Sequence, residues 1–518
     1  MAHHGWIPVI DPSSLTPAGL KSPFGRLFPA ADHEYNSHAL ALLGGALGPL
    51  QRLTSVKTKG NNPTGFTFFG QFIDHDMTEF RVIGSTYALI QQNPTIGQRQ
   101  LVLEDRRLEH QVPTATNGRT GKLDLDSVYG LLGLAQPDLY TTAGAFRMQS
   151  NERDIPRGNQ YHNGRLIADP RNDENKIVVQ IHVLFERLHN KIHATKSGPS
   201  SRKGPGGDLF AETKAQVQQI YRSIIIHDYL PRIVRIEQLQ RVAQALQQGH
   251  TCYQRMTARC RAALTALDVP APEVQAAVAV PVEFAHAAFR LGHTQLQPGY
   301  RLNDDNAFPL FATGTGESDL RGNEALAPKF IIDWAYFFEG GAHPPQPGAP
   351  IDGVLPEGVF RLPPPAIDAP PVSLAERNLR RGVDFGLPSG QEAAAILTEQ
   401  YGYIHATTFE ELFPDALQKQ FKEILALDPT LAWRTPLWYY IIREAEYRES
   451  GPELGPVGGY IVAETLLGSL AETDGVGINL LLSELNALVD PTTLSTTAPA
   501  DPNAIQTMAQ LVSFLQTP

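Results

Sequence analysis

Only two of the 518 residues are cysteine, Cys252 and Cys260, so the chain has no disulfide framework and can form one bridge at most. They lie eight residues apart on a segment of helical character, which predicts free thiols on separate turns. Two thiols so spaced also fall short of the ligand set of a structural zinc site. No apolar run approaches the roughly 20 residues that a membrane-spanning helix needs. The start, Met1-Ala2-His3-His4-Gly5-Trp6-Ile7-Pro8, has neither the basic opening nor the long apolar stretch of a secretory signal. The expected location is therefore the cytoplasm, or the outside by a route other than general secretion. Basic charge is missing as well. A net charge of −11 argues against a nucleic-acid partner, which requires a positive surface. Strand-type alternation is scarce, and no internal repeat or coiled-coil heptad is visible.

What is present reads as globular and helical. Hydrophobic residues make up 42% and charged residues 19%. Length alone allows two to four domains, or one enzyme with long connections. Apolar residues recur at three and four from Val178 through Phe185 to Leu188 and Ile192. Similar periodicity runs through Lys214–Ile225, Glu237–Ala245, Ala416–Ala426, Tyr460–Leu470 and Ala504–Leu515. The expected fold class is mainly α. With 41 prolines and 44 glycines, irregular connections must join the helices. The densest patch, Gly340–Pro371, includes Pro344-Pro345 and Pro363-Pro364-Pro365, which cannot lie inside a helix. Chemically suggestive residues on both sides favour a surface loop of one domain over a linker.

Five constellations carry chemistry. In Gly70-Gln71-Phe72-Ile73-Asp74-His75-Asp76, helical spacing puts Gln71, Asp74 and His75 on one face and turns Asp76 away. His75 suits a general acid-base role, and Asp76 a cation; the plain alternative is a helix whose polar residues cap neighbours. In Thr120-Gly121-Lys122-Leu123-Asp124-Leu125-Asp126, oxygen ligands at every other position have the rhythm of a calcium loop without the pattern of an EF-hand. The alternative is a polar turn. Asp169-Pro170-Arg171-Asn172-Asp173-Glu174-Asn175 resembles a helix start with Asn172 or Asp173 as N-cap, which leaves Arg171 to be explained. His293, within Phe289-Arg290-Leu291-Gly292-His293-Thr294, is a core histidine or a haem ligand. The arginines of Arg377-Asn378-Leu379-Arg380-Arg381-Gly382 can bind carboxylates such as haem propionates, or end a solvated helix. One decoy is Glu186-Arg187-Leu188-His189-Asn190-Lys191-Ile192-His193, with metal-like spacings. A di-iron site needs a second Glu-x-x-His helix and a zincin needs Glu after its first His, so His189 and His193 read as structural.

Taken together, the wording and order of these segments resemble the animal-type haem peroxidases, the family of myeloperoxidase, lactoperoxidase and peroxidasin. The resemblance runs from Phe24-Gly25-Arg26 to Gly455-Pro456-Val457-Gly458-Gly459, and the scarcity of cysteine is more like bacterial relatives. It implies a single haem-peroxidase domain over residues 24–480, after an N-terminal extension (1–23) and before a C-terminal helical tail (481–518). His75 resembles the distal histidine that takes a proton from peroxide. Arg171 resembles the distal arginine that stabilises charge during O–O cleavage, and Gln71 the glutamine above the iron. His293 resembles the proximal iron ligand, Asn378 its hydrogen-bond partner, and Arg290 and Arg381 the propionate arginines. Asp74 and Glu174 match the carboxylates that form haem esters, so covalently held b-type haem is implied. Asn175 stands where a methionine would make a sulfonium link, which is not expected. Asp76, Thr120, Lys122 (through its carbonyl), Asp124 and Asp126 match the calcium ligands. Val383 and Phe385 depart from the Arg-Asp-His of many relatives at positions 383 to 385.

The implied activity is oxidation of small aromatic donors or halides by hydrogen peroxide through an oxoferryl intermediate. The runner-up is a fatty-acid dioxygenase of the cyclooxygenase type. Its radical tyrosine would stand three residues before His293, where this chain has Arg290. A non-catalytic haem or calcium scaffold predicts loss of the distal pair, yet His75 and Arg171 are both present.

Overall fold

The computed structural model describes residues 9–10, 24–31, 33–51, 60–83, 115–130, 137–196, 207–266, 270–312, 317–362, 372–402, 404, 406–414, 419–473 and 477–517. The fold is mainly α, as the periodicity predicts. The longest described strand, Phe80–Ile83, pairs with Val9–Ile10 and Ala115–Asn117 in a small sheet. Apart from Val9–Ile10, the N-terminal extension lies outside the described residues, as do Pro363-Pro364-Pro365.

The described helices include α1 (Gly65–Met77), α2 (Lys176–Lys196), α3 (Asp208–Ile224), α4 (Leu374–Asp384), α5 (Leu437–Glu449), α6 (Pro456–Ala471) and α7 (Met508–Gln516). Each periodic segment named above falls on a helix, with shifted ends, apart from residues 416–418, which lie outside the described residues. The last starts at Met508 rather than Ala504, because Thr507 and Gln510 close a reciprocal capping box there. After Ile224 the chain passes into a π-turn, Ile225–Tyr229, which re-aims Tyr229. Cys252 and Cys260 sit buried on one helix and are not joined by a disulfide.

Helices α1, α2 and α3 meet through aromatic rings. Phe72 stacks on Phe185 at 5.2 Å, and Tyr221 packs edge-on against Phe185 at 5.4 Å. Such pairs contribute about 0.5–1.5 kcal/mol each beyond the area they bury. Helix α6 is buried on every side, as an all-round apolar helix must be. Its first amides are satisfied from α5, where Glu444 accepts from Val457 N at 2.8 Å, and burial pushes that carboxyl up to about 8. Helix α7 is held at both ends. Asp228 accepts from Met508 N at 2.8 Å, while Lys191 of α2 donates to Phe514 O at 2.8 Å, each charge matching the helix dipole.

The described part of the proline-rich stretch lies against the core. Ile351, Leu355, Val359 and Phe360 are fully buried in the cluster that also holds residues of α1, α5 and α6. Its backbone bonds reach Asn62 O from Gly348 N (2.8 Å) and Gln295 O from Ala349 N (3.0 Å), just before α1 and just after His293. Proline blocks helix here, and single bonds to neighbouring segments replace the ladder.

Candidate active site

One cavity collects six of the site residues singled out from the sequence. Helix α1 supplies Gln71, Asp74 and His75, and the turn before α2 supplies Glu174 and Asn175. A 3-10 helix, Ala288–His293, supplies Arg290 and His293. Apolar wall comes from Phe289, Leu310, Phe311, Leu362 and Leu374. Tyr229 closes over α1 at Gly70, where an added Cβ would overlap its hydroxyl. The helical spacing of the opening motif therefore resolves as expected: three polar residues face the cavity, and Asp76 is buried on another side.

His75 is buried, and its Nδ1 lies 2.8 Å from Asn172 Oδ1. Burial first, then the charge of Arg171, lowers its pKa to about 3, so its ring is neutral at ordinary pH. The expectation that Asn172 or Asp173 caps a helix is corrected. Asp169 caps instead, accepting from Arg171 N at 2.9 Å, because Pro170 opens a 3-10 turn one residue later. Asn172 is thereby free to meet His75, and Asp173 takes two bonds from Arg157, at 2.8 and 2.9 Å. Helix α2 begins with Asn175, which accepts from Ile177 N at 2.7 Å.

Arg171 does not line the cavity. Its guanidinium donates to Asp169, to Thr78 O at 2.5 Å and to His75 O at 2.7 Å, at the C-terminal end of α1. What reaches the cavity is its charge. Asp169 also pairs with buried Arg119 at 2.9 Å. Burial alone would raise its pKa, but the two guanidiniums outweigh that and hold it well below the usual carboxylate range.

His293 Nδ1 lies 2.9 Å from Asn378 Nδ2 on α4. Turning that amide over presents Oδ1 to an Nδ1–H and leaves a lone pair on Nε2, the state a metal ligand needs. Burial, then Arg290, lowers the His293 pKa to about 3. Arg381 stands off the cavity wall, half-buried. Burial and the repulsion of Arg290 bring it down to about 10, so this cationic corner suits an anionic group. Phe385 stacks on His286 at 3.8 Å, and Val383 packs against the core.

The carboxylate oxygens of Asp76, Asp124 and Asp126 come within 4.8 Å of one another, which makes a candidate cation site. Leu125 N and Ser127 N donate to Asp76, at 3.0 and 3.2 Å. Thr120 Oγ1 donates to Asp124 at 3.0 Å, and Thr120 N to Asp126 at 2.9 Å. Burial, then the charge of Asp124, pushes Asp76 up to about 7; Asp124 and Asp126 are raised as well, burial again being the main cause. Arg119 reaches Asp126 at 3.3 Å, so this cluster and Arg171 share partners through Asp169.

The decoy is structural. His189 bonds Tyr129 OH (3.0 Å) and Gly144 O (3.1 Å) and stacks on His193. Sequence reasoning missed Asn172 as the partner of His75, and also Asp169, Arg119 and Tyr229. The alternation of Asp169 with Arg171 was the one available signal.

The sequence profile described as "Animal haem peroxidase" matches residues 20–428. No curated protein matches the chain. Among solved structures, peroxidase A from Dictyostelium discoideum superposes with a TM-score of 0.56 at 14% identity, over 96% of this chain and 94% of that one. The fatty acid alpha-dioxygenase of Oryza sativa gives 0.56 at 13% identity, over 99% and 86%. That of Arabidopsis thaliana gives 0.54 at 12%, over 99% and 83%. At such identities the likeness concerns the fold.

Proposed function

The chain belongs to the animal haem peroxidase family, and on that footing we propose that it uses hydrogen peroxide to oxidise small aromatic donors or halides. The observation that carries this reading is the single cavity lined by both His75 and His293, with Arg290 and two carboxyl groups on its wall. Those residues fit a haem: His293 Nε2 would bind the iron, and Arg290 and Arg381 the propionates. Asp74 and Glu174, both on the cavity wall, would supply the carboxylates for the ester links. Bound haem supplies the redox chemistry.

His75 takes the proton of the incoming peroxide at Nε2 and returns it to the leaving oxygen, a role for which a neutral, buried imidazole is suited. The positive charge of Arg171, fixed against the end of α1, favours negative charge developing nearby. Gln71 offers a donor and an acceptor to water or a halide. Asn378 fixes the proximal ring and tunes the ligand. Asp76, Asp124 and Asp126, with Thr120 and the Lys122 carbonyl, would hold calcium, which would secure the end of α1 behind His75.

The test is steady-state oxidation of iodide, bromide, thiocyanate and phenols by peroxide with the haem-loaded protein; no turnover of any of them sinks the reading. A second reading, fatty-acid oxygenation, draws on the apolar cavity wall and the likeness to alpha-dioxygenases, one of them solved with palmitic acid. Oxygen uptake on palmitic acid without peroxide-driven oxidation of the other donors would favour it. Arg290, at the position of the cyclooxygenase tyrosine, weighs against that route.

A further inference from the structure

The decoy helix carries a polar chain that the peroxide reaction does not itself consume. Glu186 turns away from His189 and pairs with His182, one helical turn earlier on α2. The His182 Nε2 to Glu186 Oε1 distance is 3.2 Å, and both side chains are buried. The other nitrogen of His182, Nδ1, lies 3.1 Å from Asn172 Nδ2, and Asn172 Oδ1 lies 2.8 Å from His75 Nδ1. Four side chains thus form an unbroken line from a carboxylate to the cavity.

The line has a direction. With Glu186 Oε1 as the acceptor, His182 carries its proton on Nε2. Its Nδ1 is then an acceptor, which the Asn172 amide meets with its NH2 end. The carbonyl end of the same amide faces His75 and can only accept. His75 is therefore left with its proton on Nδ1 and a bare lone pair on Nε2. One acceptor at the far end sets three groups in order.

A His–Glu pair four apart on a helix is commonplace at a surface. Here it is fully enclosed, and among the described residues Glu186 Oε2 finds no hydrogen-bond partner. An enclosed carboxylate with one unmet oxygen costs stability that an aliphatic residue would not. We infer that Glu186 and His182 are positioning residues that act through Asn172 to hold His75 in the tautomer able to take a proton from peroxide. The inference rests on the reading of His75 as the base.

Neutron diffraction from the deuterated, haem-loaded protein reads the line directly. It should find deuterium on Nδ1 of His75 and on Nε2 of His182, two buried histidines in opposite tautomers. Deuterium on His75 Nε2 or on His182 Nδ1 overturns the inference. Rapid mixing with peroxide supplies the second readout. Glu186→Leu should react about 10-fold slower, in line with loss of a supporting hydrogen bond, with KM for the electron donor unchanged. Glu186→Gln keeps an acceptor and should recover most of the parent rate. A slow His75→Ala beside a Glu186→Leu as fast as the parent discards the positioning role alone. A fast His75→Ala discards the base as well. Should Glu186→Leu fail to fold, the neutron map of the parent still decides.

Discussion

Two histidines reach the same cavity from contrasting supports. His75 projects from a thirteen-residue helix that is buried almost throughout and cross-linked behind to Asn172, Arg171 and the three-carboxylate cluster. His293 ends a six-residue 3-10 helix and meets Asn378 across from α4. The difference follows from the work proposed for each. A base must present one nitrogen, in one tautomer, at one place, which takes a rigid polar surround. A metal ligand is fixed at its other end by the metal, so one well-placed amide suffices to orient it.

The contrast can be broken most severely on the weaker support. His293→Ala should abolish the Soret band of the haem-loaded protein; a band of unchanged intensity and position removes His293 as the ligand. On the stronger support, His75→Ala should slow the reaction with peroxide by roughly 10²-fold or more while the haem spectrum survives. Because burial and Arg171 lower the pKa of His75 to about 3, its neutral form persists well into acid. The peroxide rate should therefore stay level from pH 8 down to about 4 and fall below that; a drop centred near pH 6.5 contradicts the lowered value.

Behind His75, Asp169→Asn leaves Arg119 and Arg171 short of a shared counter-charge. Breaking a buried pair in this way costs about 3–5 kcal/mol, to be read from urea unfolding. No loss would show that the two arginines re-pair elsewhere. A subtler cut tests the proposed calcium site, by removing its cation with a chelator. The three aspartates then repel one another, and protons can stand in for the cation only where the raised pKa values allow. Asp76, pushed up to about 7, is protonated at pH 5 and ionised at pH 8, so chelation should lower Tm more at pH 8. Equal losses at both pH values contradict that coupling. The smallest effect belongs to Asn378→Leu. Loosening the proximal ring should lower activity about 10-fold and displace the haem reduction potential, with the Soret band retained.

Much of this was legible in the chain because period and spacing are local properties. The 3.6-residue rhythm gave the helices, and offsets of three and four gave the cavity face of α1. Motif resemblance drew attention to His293, Glu174 and Arg290, which the fold brings to the cavity with His75. What stayed hidden depends on contacts far apart in sequence. Asn172 looked like a cap because nothing local connects it to His75, 97 positions earlier. Arg171 looked like a cavity residue because the carbonyls of His75 and Thr78 that draw it to the end of α1 meet it only in the folded chain. Arg119 carried no motif at all, yet it joins the candidate cation site to Asp169.

Gly70 sets how closely Tyr229 can approach α1. By helix propensity alone, alanine at this position would be better by about 1 kcal/mol. Yet a methyl there would displace the Tyr229 hydroxyl, which stands on the cavity wall. The helix forgoes stability to keep that ring back, so the width of the site depends on an atom that is missing. Enlarging residue 70 should therefore shift Tyr229 and reshape the cavity wall.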